Sequence, residues 1–442
     1  MKNNKVMHTA PENIFTINYS NLQDRLDAEF YSPFYTLERT KTFVPLKRVT
    51  SSIIHPPEYP REFTSEGIQL IRSQNVRPLG INLRENPVYF SQDFLNNKHT
   101  ITPEIGDILV VRSGVNAGDT AVVESKYPDV IIGADTLLCK CNSKLYPKFL
   151  QVYFFTDIGK RQMVRHITGA TNKHLNSSNL GKVLIPLLDL NEQKECIDIY
   201  EYALNLNIKK ENEAKVLLSK IDDYLLNELG IELPEKDDSL ESRIFVTKFS
   251  EISGGRWDVL YYASELKKYI ISVKSGRYPF SKLGDIAVVD WGNTNITKAS
   301  YTEEGYFAYS SAGQDGNLPF YENDGDAIIL SAIGARCGKC FLNISSKWTA
   351  IKNTITIIPT PEVNLEYIYS ILDFELFWEK SGGAQPFITL KSAKERIIPI
   401  PPIEKQNEIA EKISSIRQQV KQLQQEANDM LEQAKKRVEK KY

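Results

Sequence analysis

Few residues in this 442-residue chain are of types that could do chemistry, and their spacing excludes most catalysis. Gly334-Ala335-Arg336-Cys337-Gly338-Lys339-Cys340 has the look of a phosphate-binding loop. It is one residue too short and ends in Cys where a Ser or Thr must hold the metal, so it cannot serve as one. Cys337-x-x-Cys340 could be half a zinc site. The other close pair, Cys139 and Cys141, sits at a non-equivalent place, and no Cys/His cluster completes four ligands. No dinucleotide-binding Gly-x-Gly-x-x-Gly occurs. His55-Pro56-Pro57-Glu58 and Ile400-Pro401-Pro402-Ile403 lack the leading amide or carboxylate that would hold a target amine. Five histidines, none in a nucleophile motif, give no triad. The expectation is a non-catalytic chain with no metal site and no cofactor of its own.

What remains is hydrogen-bonding chemistry in loops. In the first half these are Arg72, Ser73, Gln74, Asn75 and Arg77, then Arg112, Ser113 and Asn116, then Asn172, Lys173 and His174. In the second half the matching places hold Ser310, Ser311 and Gln314, then Arg336 and Lys339, then Gln385 and Phe387. Arg, Gln, Asn and Ser at strand ends suit bonding to base edges in a DNA major groove, and Gly lets the backbone approach phosphate. Ordinary polar turns are the alternative reading of any one of them.

The elements that must position these loops are written twice. Arg25-Leu26-Asp27-Ala28-Glu29-Phe30-Tyr31 returns as Arg256-Trp257-Asp258-Val259-Leu260-Tyr261-Tyr262. Gly106-Asp107-Ile108-Leu109 returns as Gly325-Asp326-Ala327-Ile328, each followed by a Gly-x-x-x-Gly, Gly114 to Gly118 and Gly334 to Gly338. Asp135-Thr136 matches Asn353-Thr354, and Gly169-Ala170 matches Gly383-Ala384. Ile185-Pro186 stands seven residues before Gln193, as Ile398-Pro399 stands seven before Gln406.

Short β-rich segments between Gly, Pro and Asn turns predict an α+β fold in each copy. Each copy then opens a long helix, over 191–230 and 404–442. In the second, Ile409, Ile413, Ile416, Val420, Leu423, Ala427, Met430 and Ala434 keep an unbroken 4-3 spacing, the seam of a coiled coil. The first has a poorer seam of Ile197, Tyr200, Leu204, Ala214, Leu218, Ile221 and Leu225, interrupted by Asn207 and Glu211. Two matched seams predict that the helices pair with each other. The alternative is that each helix packs on its own globule. The expected division is 1–190 and 231–403 for the repeated domains, with 191–230 and 404–442 as helical spacers.

Composition fits this picture. With 41% hydrophobic and 25% charged residues the chain is not wholly disordered. It has no apolar run near the ~18 residues of a membrane span. Five scattered cysteines and no apolar leader predict a cytoplasmic, reduced protein. Net charge is −2, with +4 over 1–190 and −4 over 231–403, so contact with nucleic acid would have to come from local loops.

Along essentially its whole length the chain resembles the specificity subunit of type I restriction–modification systems. The resemblance rests on the duplicated Arg-Leu-Asp-x-x-Phe-Tyr opening, the Gly-Asp-Ile-Leu strand with its Arg-Ser-Gly continuation, and the Ile-Pro entry to each long helix. Leu187-Leu188-Asp189-Leu190 departs from the proline-rich entry that Pro399-Ile400-Pro401-Pro402-Ile403 keeps. The resemblance implies two target-recognition domains and two helical spacers forming an antiparallel coiled coil. It implies double-stranded DNA, two methyltransferase subunits and restriction/translocase subunits as partners. S-adenosylmethionine, ATP and Mg2+ would then sit on the partners. A duplicated coiled-coil adaptor joining two protein partners without sequence-specific DNA recognition is the competing reading.

Overall fold

The computed structural model describes residues 16–19, 22, 25, 27–37, 41–78, 80–94, 100–169, 172–233, 265–344, 347–374, 377–378, 380–382 and 385–442, without the side chains of 265–268. The second Arg-x-Asp motif, Leu26, Ala170 and the Gly383-Ala384 pair lie outside these residues. The chain forms two compact units, Met1–Lys210 with Gln425–Tyr442, and Glu211–Gln424. Each unit therefore takes part of both long helices, whereas division at 190, 230 and 403 sets the helices apart as separate segments.

In unit 1 the strands are β1 (Phe43–Pro45), β2 (Thr50–Ile54), β3 (Ile68–Ile71), β4 (Val76–Arg77), β5 (Gly80–Ile81), β6 (Tyr89–Phe90), β7 (Ile108–Val111), β8 (Thr120–Val122), β9 (Val130–Ile132), β10 (Thr136–Cys141) and β11 (Leu184–Pro186). Its helices are α1 (Pro147–Phe155), α2 (Asp157–His166), α3 (Ser177–Lys182) and the first part of α4 (Leu190–Leu229). A four-stranded sheet has the order β2-β10-β7-β8, a three-stranded one β6-β3-β9, and β1 pairs with β11.

Unit 2 holds α5 (Glu265–Lys274), β12 (Phe280–Lys282), α6 (Leu283–Ile286), β13 (Ala287–Trp291), β14 (Tyr306–Ser310), β15 (Gly313–Leu318), β16 (Asn323–Asp324), β17 (Ala327–Ser331), β18 (Cys340–Asn343), β19 (Lys347–Ala350), β20 (Thr354–Pro359), α7 (Leu365–Leu372), α8 (Leu390–Lys394), β21 (Ile397–Pro399) and most of α9 (Ile403–Glu439). Its orders are β13-β20-β17-β18, β15-β14-β19-β16 and β12-β21.

The four-stranded central sheets of the two units repeat each other strand for strand. Thr136 faces Val111 and Leu138 faces Leu109 in one; Thr354 faces Ser331 and Thr356 faces Ile329 in the other. The pairing of β3 with β9 is parallel, as is that of β14 with β19. The central strands are buried on both faces, Ile108 to Val111 in unit 1 and Ala327 to Ser331 in unit 2, which is why they read as continuous apolar runs rather than alternating ones. The Thr of each Asp/Asn-Thr pair does the same job, donating from its buried hydroxyl to the carbonyl three residues back, Gly133 at 2.8 Å and Ile351 at 2.6 Å.

The long helices are pinned by matching glutamines. Gln193, 1% exposed, accepts from Tyr146 N–H (2.9 Å) and donates to the carbonyls of Lys144 (2.8 Å) and Leu188 (3.0 Å). Gln406, also 1% exposed, accepts from Asn364 N–H and donates to Pro401 O, both at 2.9 Å. This explains why each Ile-Pro pair is followed at a fixed distance by Gln. Within unit 1 the helices run antiparallel, with Lys441–Glu195 (2.5 Å) and Lys210–Glu426 (2.6 Å) along the pair. Lys405–Glu228 at 2.6 Å marks the same sense within unit 2.

The seam of α9 lies inward: Ile409, Ile413, Val420, Ala427 and Ala434 are buried, and Ile416, Leu423 and Met430 half-buried. The seam of α4 needs correction. Its buried stripe in unit 1 is Cys196, Tyr200, Ala203 and Asn207, while Ile197 and Leu204 are half-buried beside it. Ala214, Ile221 and Leu225 are buried, but Leu218 is 42% exposed and lies off the seam. Asn207 does not interrupt the pair: its Nδ2 donates to Ala427 O at 3.0 Å. Both helices also join the globular cores, α4 and α9 residues Tyr200 and Val438 in unit 1, Leu225 and Ile409 in unit 2. Among the described residues no helix is long and apolar enough to cross a membrane.

Candidate nucleic-acid interface

In each unit the Gly-x-x-x-Gly loop clasps a tight hairpin turn brought to it from the far side of the helical segment. Gly114 and Gly118 hold φ of +93° and +96°, and Gly334 and Gly338 hold +103° and +92°, values that other residues rarely adopt. In unit 1, Leu175 N–H donates to Arg112 O (2.8 Å) and Gly114 N–H to Lys173 O (3.0 Å), while Thr168 and His174 exchange backbone bonds of 2.7 and 2.8 Å. In unit 2, Ile388 N–H donates to Ala332 O (2.8 Å) and Gly334 N–H to Pro386 O (2.9 Å), while Ser381 and Phe387 exchange bonds of 2.8 and 2.9 Å.

These bonds fix the correspondence of side chains. Asn172-Lys173-His174 stand where Gln385-Pro386-Phe387 stand, Asn116 where Arg336 stands, and Arg112-Ser113 where Ala332-Ile333 stand. The backbone is common, and the chemistry displayed on it is not. Asn172, Lys173, Gln314, Arg336, Gln385 and Phe387 are exposed, and Asn116 and Ser311 half-buried. Such a surface can present amide, cationic and aromatic groups to a ligand edge.

The clasp of unit 1 also gathers His55, which the sequence reading passed over as a contact residue. Ser113 Oγ lies 3.1 Å from His174 Nδ1, Arg112 Nη1 donates to Ala134 O at 3.3 Å, and His55 Nε2 lies 3.2 Å from the same carbonyl. Partial burial, then the charges of Arg112 and His55, lower the proton affinity of His174. His55 gave no signal in the sequence, because its Pro-Pro context was weighed only as a methyltransferase motif.

Several expected contact residues are instead committed to the fold. Asn75 is 1% exposed: its amide accepts from Arg72 N–H and donates to Asn82 O and Glu85 O. Its carbonyl and amine hold the turn together, so Asn75 is corrected from a base-contacting candidate to a structural one. Arg72 and Gln74 bind the carbonyl of Asn86, and Arg77 pairs with Glu85 at 3.5 Å. That cluster, with half-buried Ser73, ties the 82–86 loop to β3. Ser310 is 2% exposed, donates to Asp315 Oδ2 (2.7 Å) and accepts from Ala312 N–H, which corrects it likewise. Lys339 is held by Asp373 at 2.7 Å, while exposed Arg336 donates to Ala312 O at 2.9 Å.

The Arg-x-Asp motif is structural too: Arg25 Nε and Nη2 donate to Asp27 at 2.7 and 2.6 Å, and Arg25 and Arg165 both lie over the Phe30 ring. Cys337 and Cys340 donate to the carbonyls of Ala332 and Leu372, and burial pushes both thiols up. Among the described residues no group of His, Cys, Asp or Glu could hold a metal ion.

Residues 277–433 match the family model described as the type I restriction modification DNA specificity domain. No protein with a curated description matches the chain. A solved S subunit of a type I restriction–modification system from M. genitalium aligns at 14% identity over 92% of this chain and 98% of its own, with a TM-score of 0.45. A structure described for the complex assembly and conformational transition of the type I R-M system aligns at 14% over 91% and 97%, TM-score 0.49. The HsdS subunit from Thermoanaerobacter tengcongensis aligns at 16% over 91% and 96%, TM-score 0.34. The matched span contains the clasp, the central sheet and the glutamine-pinned helix of unit 2, so this part of the chain is similar to the type I restriction modification DNA specificity domain, and unit 1 repeats the same three features.

Proposed function

We propose that this chain is a non-catalytic specificity subunit that reads an asymmetric, bipartite DNA target with its two clasps. One observation carries the reading: the same backbone clasp, held by equivalent hydrogen bonds, presents Asn172, Lys173 and His174 in one unit and Gln385, Pro386 and Phe387 in the other. One scaffold with two side-chain sets reads two different half-sites. The paired helices act as the spacer between half-sites, whose repeat along one face of B-DNA is ~34–36 Å. Two methyltransferase subunits, and restriction/translocase subunits with them, bring S-adenosylmethionine, ATP and Mg2+ to this cytoplasmic complex. The low net charge of −2 fits a subunit whose partners supply part of the phosphate contact.

Methylome sequencing with the gene present and deleted tests this. A two-part methylated motif that vanishes on deletion supports the reading, and removal of one heptad from each helix should shorten its spacer without changing either half. An unchanged methylome on deletion would leave the adaptor reading in its place.

A further inference from the structure

Behind the clasp of unit 1 lies a cavity of about 220 Å³ lined in part by exposed Val115 and Lys173 and half-buried Ala117, which we take as its mouth. Its inner wall includes Phe154, Met163 and Gln151. Gln151 is 4% exposed, and its Nε2 donates to Pro78 O at 2.9 Å, which fixes the amide's orientation. Its Oε1 is buried and has no hydrogen-bond partner among the described residues. A buried acceptor left unmatched costs about 1–3 kcal/mol, so this carbonyl is a place where a donor belongs.

Two ionisable groups also line the cavity, Asp119 and Lys160. Burial pushes the Asp119 carboxyl up and the Lys160 ammonium down, the mark of a partly desolvated wall. That environment disfavours a charged guest. It suits a neutral planar heterocycle with a donor on its edge, packed against aromatic and thioether side chains. Unit 2 differs at the corresponding place. There Lys339 replaces Asp119 and is paired with Asp373, and the side chains of Trp378 and Lys380 close on Gly338.

We propose that this cavity holds a single unstacked nucleobase, whose amino edge donates to Gln151 Oε1 while its ring packs on Phe154 and Met163. The location at the clasp mouth rests on the DNA reading above. The chemistry is the same whether the base is swung out of bound duplex or belongs to a free nucleoside.

The test uses the full chain in two arms. In the first, saturation-transfer NMR is recorded with adenosine, guanosine, cytidine and thymidine separately. In the second, duplexes carrying 2-aminopurine at successive positions of the recognised half-sites are titrated by fluorescence. Binding in either arm that weakens about five-fold or more in Gln151→Leu, as loss of one hydrogen bond implies, supports the site. Ala117→Leu, which narrows the mouth and leaves the inner wall intact, should weaken it as well. A signal in the first arm alone assigns a free nucleoside, and in the second alone a base extruded from DNA. No nucleoside signal together with unenhanced 2-aminopurine at every position overturns the proposal, as does binding that both variants leave unchanged. Absence of any duplex binding by the wild type, with its methyltransferase partners added in the second arm, overturns the DNA reading instead, and leaves the nucleoside arm to decide the cavity.

Discussion

Replacing Gln193 and Gln406 by leucine, one at a time, tests whether the two units are separate copies of one design. Gln193 makes three buried hydrogen bonds and Gln406 two, all between 2.8 and 3.0 Å. Leucine is close in volume and removes the bonds while leaving backbone partners unmatched. At about 1 kcal/mol or more for each orphaned partner, Gln193→Leu should cost about 3 kcal/mol and Gln406→Leu about 2. With a urea m-value of about 3 kcal/mol/M the midpoints should fall by roughly 1 M and 0.7 M.

The sequence supplies a selective probe. Of the four tryptophans, Trp291, Trp348 and Trp378 lie in unit 2, and Trp257 lies outside the described residues. In a Trp257→Phe background tryptophan emission therefore follows unit 2 alone, whereas circular dichroism at 222 nm follows both. Gln406→Leu should move the tryptophan midpoint; Gln193→Leu should move part of the dichroism transition and leave the tryptophan midpoint within about 0.2 M, as expected for sites that share no partners. Equal tryptophan shifts for both variants, or costs under ~0.5 kcal/mol for both, would refute the reasoning.

Other consequences are more local. Leu218→Glu, at an exposed position, should change stability by no more than about 0.5 kcal/mol, while Ile221→Ala at the buried seam should cost about 2–4 in urea unfolding. Asn207→Ala should cost about 1 kcal/mol by loss of its bond to Ala427. Burial, aided by the charges of Arg165 and Arg25, depresses His166 from 6.5 to about 4. The unfolded chain then binds a proton that the folded one does not, so stability should fall as pH drops from 6.5 to about 4, by about 3 kcal/mol. In His166→Phe that segment of the stability–pH curve should flatten, and an unchanged slope would count against the assignment.

The α9 seam was readable because its positions are all apolar at an unbroken 4-3 spacing. The α4 seam was not, because its tight contacts use small or polar residues, Cys196, Ala203 and Asn207, while larger neighbours such as Ile197 and Leu204 sit at its flanks. A polar residue in a seam looks like an interruption until its partner carbonyl is known. The loops show the same limit. Asn75 and Asn172 are the same residue type in polar loop sequences, yet one fills its hydrogen bonds inward and the other is exposed. The glycines that build the clasp were legible as a repeated spacing, but the hairpin they grip lies about sixty residues on, and only the fold brings it there.

The central claim, that each clasp reads its own half-site, is tested most directly by a methylome after a single graft. Residues 112–118 and 172–174 of unit 1 would be replaced together by the corresponding segments of another family member. The account predicts a methylated motif with one half changed, the other half and the spacer retained. A motif changed in both halves, or unchanged in both while the complex still methylates, would contradict it.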